Sequence, residues 1–275
     1  MSIENSERLR ASLDKALDGV EGWLELPVAW QLHEIARRFP VSNEATKIVE
    51  IGTWKGRSTI ALAKGLQAKG EGMVYGIDPH TGSEQTRLIY GELDTWNELL
   101  ANLKAAGVED CVVPIRSTAH AARPRFEDKS IHLLLIDGSR EYNEFREYIE
   151  DWETTLTDGG ILVFRGPFQP GVYRVVREGL LHRRSRFRKP IYIYERSGEM
   201  LMLEHHIDPP AWTFRDWVGL RVVATQYGAR NSTRRLRRLV PSVFRRRAKS
   251  TLNGFLKLLS RAAPGATAAS KRYGG

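Results

Sequence analysis

The sequence of 275 residues is poor in cysteine and contains no long apolar run. Cys111, the single cysteine, lies in the apolar stretch CVVPI, so no disulfide framework is available and nothing indicates an oxidising compartment. No run approaches the ~18 apolar residues needed to cross a bilayer, and the opening MSIENSERLR lacks the apolar region of a signal peptide. We therefore expect a cytoplasmic protein.

Acidic residues are almost absent from the C-terminal segment. From residue 210 onward, 15 Lys and Arg residues stand against one acid, Asp216, which gives +14. The first 209 residues hold 27 bases and 32 acids, which gives −5, so the net charge of +9 arises from the tail alone.

Short apolar strands alternate with helical patterns through the middle of the chain. The predicted strands are 47–52, 72–78, 111–116, 131–137 and 160–164, and the predicted helices are 56–69, 95–106, 119–126 and 141–156. This alternation predicts an α/β fold with a parallel sheet covered on both faces. After residue 170, a helix and the runs PIYIYER and EMLMLEHH predict an antiparallel hairpin that completes the sheet.

The pattern as a whole predicts a Rossmann-like, doubly wound, mostly parallel sheet of seven strands with a basic α-helical tail. We expect three parts. Helices in 1–46 pack on the domain, 47–208 form the domain itself, and 209–275 form the amphipathic tail with a disordered end.

The stretch VEIGTWKGRSTIAL, residues 49–62, packs a strand, a glycine turn and a helix start into a short segment. In an open parallel sheet such a turn lies at the ligand-binding edge. The turn has neither GxxxxGK[ST], which binds phosphates, nor GxGxxG, which binds dinucleotides. Glu50, just before the turn, suits a ligand that carries a cation, and Asp78, at the end of the second strand, suits ribose hydroxyls.

Four motifs at successive strand ends carry a family resemblance. VEIGTWKGRST, GIDPHTG, IDGSREY and LTDGGILVF, in this order, resemble class I S-adenosylmethionine-dependent methyltransferases, and most closely the small-molecule O-methyltransferase-like group. The resemblance covers about 20–185 and does not reach the tail. It implies S-adenosyl-L-methionine as the cofactor.

The resemblance implies that the first turn surrounds the amino-acid portion of the cofactor. Gly52, Thr53 and Gly56 would shape the turn. Glu50 would lie near the ammonium group, and Ser58, at the helix start, near the carboxylate.

The other strand ends would hold the rest of the cofactor. The resemblance implies that Asp78 binds the ribose hydroxyls and that Ser117 lies beside the adenine. Asp137 and Gly138 would face the methyl-bearing sulfonium.

Candidates for catalysis are His80, Asp137 and Arg140. A hydroxyl acceptor must lose a proton, and either His80 or His120 is a candidate base; the alternative is that each is a solvated surface histidine. The polar segment 80–94 is either a mobile lid or a surface excursion.

The chain departs from the family pattern at two positions. Arg140 stands where relatives carry a histidine in IDGxH, and Arg165 replaces the histidine of FHD. Because two cations would repel a third, we expect no metal site. The arginines either bind an anionic group of the acceptor or pair with acids such as Glu141 or Glu144.

Residues 210–261 combine amphipathic helical spacing with arginine-rich faces. Such helices suit an anionic membrane surface, and nucleic acid is a weaker candidate. The alternative is a helical extension that packs on its own domain or on another subunit, so a homo-oligomer stays open.

We therefore expect a metal-independent methyltransferase that acts on an oxygen of a small-molecule, sugar or lipid-linked acceptor and is peripheral to the inner face of the membrane. The alternative is a catalytically inactive cofactor-binding or scaffold protein that its basic tail docks to a membrane or a partner.

Overall fold

A computed structural model describes residues 3–39, 45–180, 186–194, 199–208 and the single residue 225. The predicted basic tail therefore lies, apart from residue 225, outside the described residues. Within the described part, no helix has both the length and the apolar character that a membrane span requires.

The core is one sheet of seven strands. They are β1 (Lys47–Ile51), β2 (Met73–Asp78), β3 (Val112–Arg116), β4 (Ile131–Ile136), β5 (Leu156–Arg165), β6 (Phe187–Tyr194) and β7 (Glu199–His205). Their order is β3-β2-β1-β4-β5-β7-β6. The first five pair in parallel, and β7 is antiparallel to both β5 and β6. The predicted Rossmann-like, mostly parallel sheet with a C-terminal antiparallel pair is confirmed.

Eight α-helices accompany the strands in the described residues. They are α1 (Ile3–Leu17), α2 (Leu26–Arg37), α3 (Arg57–Lys69), α4 (Glu84–Tyr90), α5 (Trp96–Ala106), α6 (Ala119–Ala122), α7 (Tyr142–Trp152) and α8 (Pro170–Val175), which continues as a π-helical turn, Val176–Leu180.

Helix α4 was not predicted from the sequence, because its seven residues fall below the length over which helical periodicity can be recognised. The Ser83 hydroxyl caps it by accepting the Thr86 amide at 3.2 Å.

The strands are apolar along their whole length because both faces of the sheet are covered. Ile48 and Leu133 face one core layer, which also contains residues of α1, α2, α3 and α5. Val49 and Leu134, the next residue on each strand, face the second layer, which is built with α6, α7 and α8. Since successive side chains of a strand point to opposite faces, each strand supplies both layers.

Helices α2 and α3 approach closely at Gly65. A Cβ atom at this position would overlap the carbonyl oxygen of His33 and lie 2.8 Å from the Cβ of Ala36. The close contact matters for the site because α3 begins at the turn after β1, and α2 holds α3 against the sheet.

We predict that Gly65→Ala lowers the free energy of unfolding by about 1–3 kcal/mol, because the added methyl group forces the two helices apart. Gly179→Ala is the matched control, since a Cβ there meets no atom within 4 Å. Urea unfolding of both variants checks the prediction. Equal stability of the two variants would show that α2 and α3 adjust without cost.

Candidate functional site

The strand order reverses beside β1, and the predicted site residues meet there at the carboxyl ends of the strands. The amide of Gly52 donates to the carbonyl of Ile77 at 2.8 Å, and the amide of Asp137 donates to the carbonyl of Ile51 at 2.8 Å. These bonds extend the hydrogen-bond pattern of the sheet beyond the ends of the strands. They bring the turn after β1 between the ends of β2 and β4.

Position 52 requires a glycine because the ends of β1 and β4 approach each other closely there. A Cβ atom on it would lie 2.8 Å from the backbone of Asp137 and from the amide nitrogen of Gly138, and its φ of 92° favours glycine. Gly56 also has positive φ, 93°, and is the residue that precedes the first turn of α3. Both glycines therefore shape the turn, as predicted, and Gly52 also has a packing role.

Asp78 fastens two loops to the end of β2. Its Oδ2 accepts the amide of Trp54 at 2.9 Å, and its Oδ1 accepts the amide of His80 at 2.7 Å. The amide of Ser117 reaches the carbonyl of Asp78 at 3.2 Å, which places the end of β3 beside it. The predicted contacts of Asp78 with ribose and of Ser117 with adenine stay predictions.

Glu50 is a fully buried carboxylate at the base of the turn. It accepts hydrogen bonds from the hydroxyls of Ser58 and, at 2.6 Å, Thr59. Burial raises the pKa of Glu50 to about 8, the two hydroxyls oppose that rise, and the negative charges of Asp137 and Asp78 add to it. The hydroxyl of Ser58 is thus used by Glu50 and does not stand free for the carboxylate of a ligand.

Two polar groups of the turn lack a partner among the described residues. The hydroxyl oxygen of Thr53 and the indole nitrogen of Trp54 are both buried without a hydrogen bond. Buried polar groups are normally satisfied, so both are available to bond a ligand. Together with the nearby acids Glu50 and Asp78, they fit a ligand that has hydrogen-bonding groups and carries positive charge, because such a charge would favour ionisation of Glu50.

Asp137 is held by both of the unusual arginines. Its Oδ2 lies 2.8 Å from Nη1 of Arg165, and its Oδ1 lies 3.2 Å from Nη2 of Arg140. The expected alternative partners, Glu141 and Glu144, are therefore not the acids that these arginines bind. Among the residues described, no group of three or more His, Cys, Asp and Glu side chains could hold a metal ion.

His80 is only 1% exposed and is not a surface histidine. Its Nδ1 lies 2.9 Å from the hydroxyl of Thr95, and its ring packs edge-on against Trp96 at 5.2 Å. Burial lowers the pKa of His80, so the ring is neutral at physiological pH. His120 has the surface role: its exposed ring pairs with Asp151 at 2.9 Å, and that hydrogen bond raises the pKa of His120.

Sequence reasoning missed the connector between α1 and α2, residues 18–25. Arg57 donates to the carbonyls of Leu17, Val20 and Leu24 at 2.9, 2.7 and 2.6 Å. Leu17 ends α1, whereas Val20 and Leu24 belong to irregular backbone, which no periodic pattern reveals. The local signal was the group of apolar residues Val20, Trp23 and Leu24 among acids and glycines.

A comparison with protein families matches residues 49–165 to a methyltransferase domain. This segment is a methyltransferase domain. It contains every strand end described above, from Glu50 to Arg165. The predicted resemblance to class I methyltransferases is confirmed. No curated protein matches the sequence.

Solved structures share the fold of the methyltransferase domain at low sequence identity. Cofactor-bound Rv0187 from MTB is 19% identical with a TM-score of 0.53, over 75% of this chain and 92% of that chain. A putative O-methyltransferase from Klebsiella pneumoniae is 17% identical with a TM-score of 0.51, over 75% and 91%. The O-methyltransferase TomG from Streptomyces achromogenes, solved with SAM, is 21% identical with a TM-score of 0.50, over 74% and 91%.

We predict that Glu50 makes the stability of the methyltransferase domain depend on pH. Below pH 4.5, Glu50 is protonated in both the folded and the unfolded chain. Between pH 4.5 and about 8, the unfolded chain releases the proton and the folded chain keeps it, so rising pH disfavours folding. Relative to Glu50→Gln, the wild-type free energy of unfolding should fall by up to about 1.4 kcal/mol per pH unit in this window.

Urea unfolding of the two proteins across that pH range measures the difference. Parallel stability curves for wild type and Glu50→Gln would mean that Glu50 is ionised in the folded protein throughout. Glu34→Gln is a suitable comparison, because ion pairs and hydrogen bonds outweigh burial there and lower the pKa of Glu34.

Proposed function

We propose that this chain transfers a methyl group from S-adenosylmethionine to an oxygen of a small acceptor, a sugar or lipid-linked acceptor included, without a metal ion. The observation that supports it is the turn after β1. Inside the matched methyltransferase segment, this turn carries two buried polar groups without a described partner, beside the acids Glu50, Asp78 and Asp137.

The residues of the turn fit the cofactor by charge and hydrogen bonding. S-adenosylmethionine, when bound, supplies a methyl group on a sulfonium, together with a neutral thioether as leaving group. The hydroxyl of Thr53 and the indole nitrogen of Trp54 would then gain partners. The negative charge of Asp78 favours a cationic ligand at this edge, and Glu50, whose raised pKa keeps it protonated in the free protein, would ionise beside such a ligand.

Two fixed cations support a metal-independent reaction. Arg165 and Arg140 occupy both oxygens of Asp137, where a divalent cation would need free carboxylate ligands. An arginine side chain keeps its charge and donates several hydrogen bonds, so it stabilises an acceptor oxygen as negative charge develops there. Arg140 is the more exposed of the two, and beside it lies a cavity of about 260 Å³.

The proton of the acceptor hydroxyl must leave as the new carbon–oxygen bond forms. His80 is our predicted base, because its ring is neutral and its Nε2 lacks a partner among the described side chains. The ring is buried against Thr95 and Trp96, so this role requires a rearrangement that exposes it.

Label transfer tests the function as a whole. The full chain is incubated with S-adenosylmethionine tritiated on the methyl group and with a cell extract, and labelled products are separated and identified by mass. Transfer of tritium to an oxygen of a small molecule supports the proposal. Tight binding of S-adenosylhomocysteine without any transfer would favour a non-catalytic protein.

We predict that Asp78→Ala weakens the binding of S-adenosylhomocysteine at least about tenfold, because a ribose would lose a charge-assisted hydrogen bond. The variant also frees the amides of Trp54 and His80. Asp78→Asn keeps one oxygen acceptor and should lose less affinity. Calorimetry on all three proteins measures the effect, and wild-type affinity in Asp78→Ala would remove Asp78 from the site.

We predict that activity and cofactor binding do not respond to EDTA or to added magnesium or calcium. The reason is that Arg165 and Arg140 already pair with the two carboxylate oxygens of Asp137. The measurement is label transfer and calorimetry on protein before and after chelation. Loss of transfer on chelation, with recovery on metal addition, would contradict the role given to Arg140 and Arg165.

The basic segment 210–261 is proposed to contact an anionic membrane surface. Full-length protein should sediment with vesicles that contain anionic lipid, less with neutral vesicles, and partly detach in moderate salt. A chain truncated after residue 209 should keep cofactor binding and lose vesicle binding. A truncated chain that unfolds or changes its oligomeric state would instead assign the tail a structural role.

A further inference from the structure

Three aromatic side chains from three separate segments meet at the strand-end edge. The ring centroids of Trp23 and Trp54 lie 5.1 Å apart, those of Trp54 and Tyr90 lie 6.2 Å apart, and those of Trp23 and Tyr90 lie 6.4 Å apart. We call these three residues the aromatic wall. Trp23 is 54% and Tyr90 47% exposed, so the wall presents a broad aromatic surface to solvent. Leu88 and Ile89, the two residues before Tyr90 on α4, are also exposed, at 81% and 74%.

The aromatic wall lies between Asp78 and Asp137. On one side, the amide of Trp54 donates to Asp78 at 2.9 Å. On the other side, Arg165 links the carbonyl of Trp23, at 3.2 Å, to the carboxylate of Asp137, at 2.8 Å. A molecule lying against the wall would therefore be next to the turn that carries Thr53 and Trp54.

The connector holds Trp23 in place before any ligand arrives. Arg57 donates to two of its backbone carbonyls and to the last carbonyl of α1, and Lys55 pairs with Glu21 at 2.7 Å. A side chain on a fixed backbone loses little conformational freedom on binding. An exposed tryptophan on a fixed backbone can therefore bind the ring of a ligand at a low cost in conformational entropy.

Trp54 is a tryptophan at a position whose backbone conformation disfavours any residue with a side chain. Its φ is 50°, in the left-handed region, which costs free energy for a residue with a side chain. A glycine would adopt the same turn without that cost. Strain that persists beside a ligand site points to a use for the side chain.

From these observations we propose that the aromatic wall is the acceptor-binding surface of the methyltransferase and takes a molecule with a ring that presents an apolar face. This inference rests on the proposed function. The ring is either aromatic or the apolar face of a sugar, since both stack on aromatic side chains.

The test measures binding of two ring probes to protein loaded with S-adenosylhomocysteine. The probes are 4-nitrophenol and methyl β-D-glucopyranoside, and saturation-transfer NMR titration gives their dissociation constants. The variants are Trp23→Ala and Tyr90→Ala, with Trp23→Phe as the conservative change. Leu100→Ala is the matched control, because Leu100 is an exposed apolar residue (39%) on α5 that does not belong to the wall.

We expect at least one probe to bind the wild-type protein and to bind Trp23→Ala and Tyr90→Ala roughly threefold to tenfold more weakly. Trp23→Phe should retain most of the affinity, and Leu100→Ala all of it. The probe that binds more tightly identifies the source of the ring. Because both side chains are half-exposed, unfolding midpoints should be unchanged, which separates lost binding from lost structure.

The inference is overturned if neither probe binds, or if every variant binds as the wild type does. Failure of the proposed function gives a different result. In that case S-adenosylhomocysteine does not bind the wild-type protein, while the probes, titrated without it, still distinguish Trp23→Ala from Leu100→Ala.

Discussion

The buried carboxylate of Glu50 is the group around which the turn, the first helix after it and the neighbouring acids are organised. Its two hydroxyl donors, Ser58 and Thr59, are in the first turn of α3, so the carboxylate ties the start of that helix to the end of β1. Burying an acid beside Asp78 and Asp137 is costly, and the raised pKa expresses that cost. A ligand with positive charge would relieve it.

The second constraint is the chain of contacts that runs from Asp137 through Arg165 to Trp23. Arg165 is 9% exposed and joins the end of β5 to an N-terminal connector that is more than 100 residues earlier in the sequence. A buried guanidinium needs a counter-charge, and Asp137 supplies it. The same pair therefore also fixes the connector beside the strand ends. In this way Trp23, which is outside the matched segment 49–165, comes to lie next to the candidate site.

The sequence predicted the strands and most helices well, because apolar runs and helical spacing reflect burial in the two core layers directly. It also indicated where Glu50, Gly52, Asp78 and Asp137 converge, since the carboxyl ends of parallel strands share one edge. It did not reveal the short helix α4, whose seven residues are set by a serine cap and a final glycine. The partners of Arg140 and Arg165 were missed as well, because pairing across strand ends depends on tertiary distance and not on spacing along the chain.

The burial of His80 is a further feature that the sequence pattern did not predict. A histidine in a polar loop is usually solvated, yet the hydroxyl of Thr95 and the ring of Trp96 enclose this one, and both lie just beyond the polar segment 80–94. Its backbone amide binds Asp78, so the loop that encloses the ring also positions the carboxylate. A rearrangement that exposed the neutral imidazole would have to separate it from Thr95 and Trp96, and it would also disturb the amide that holds Asp78. Access to the candidate base and the position of the acid beside the turn therefore depend on the same residue.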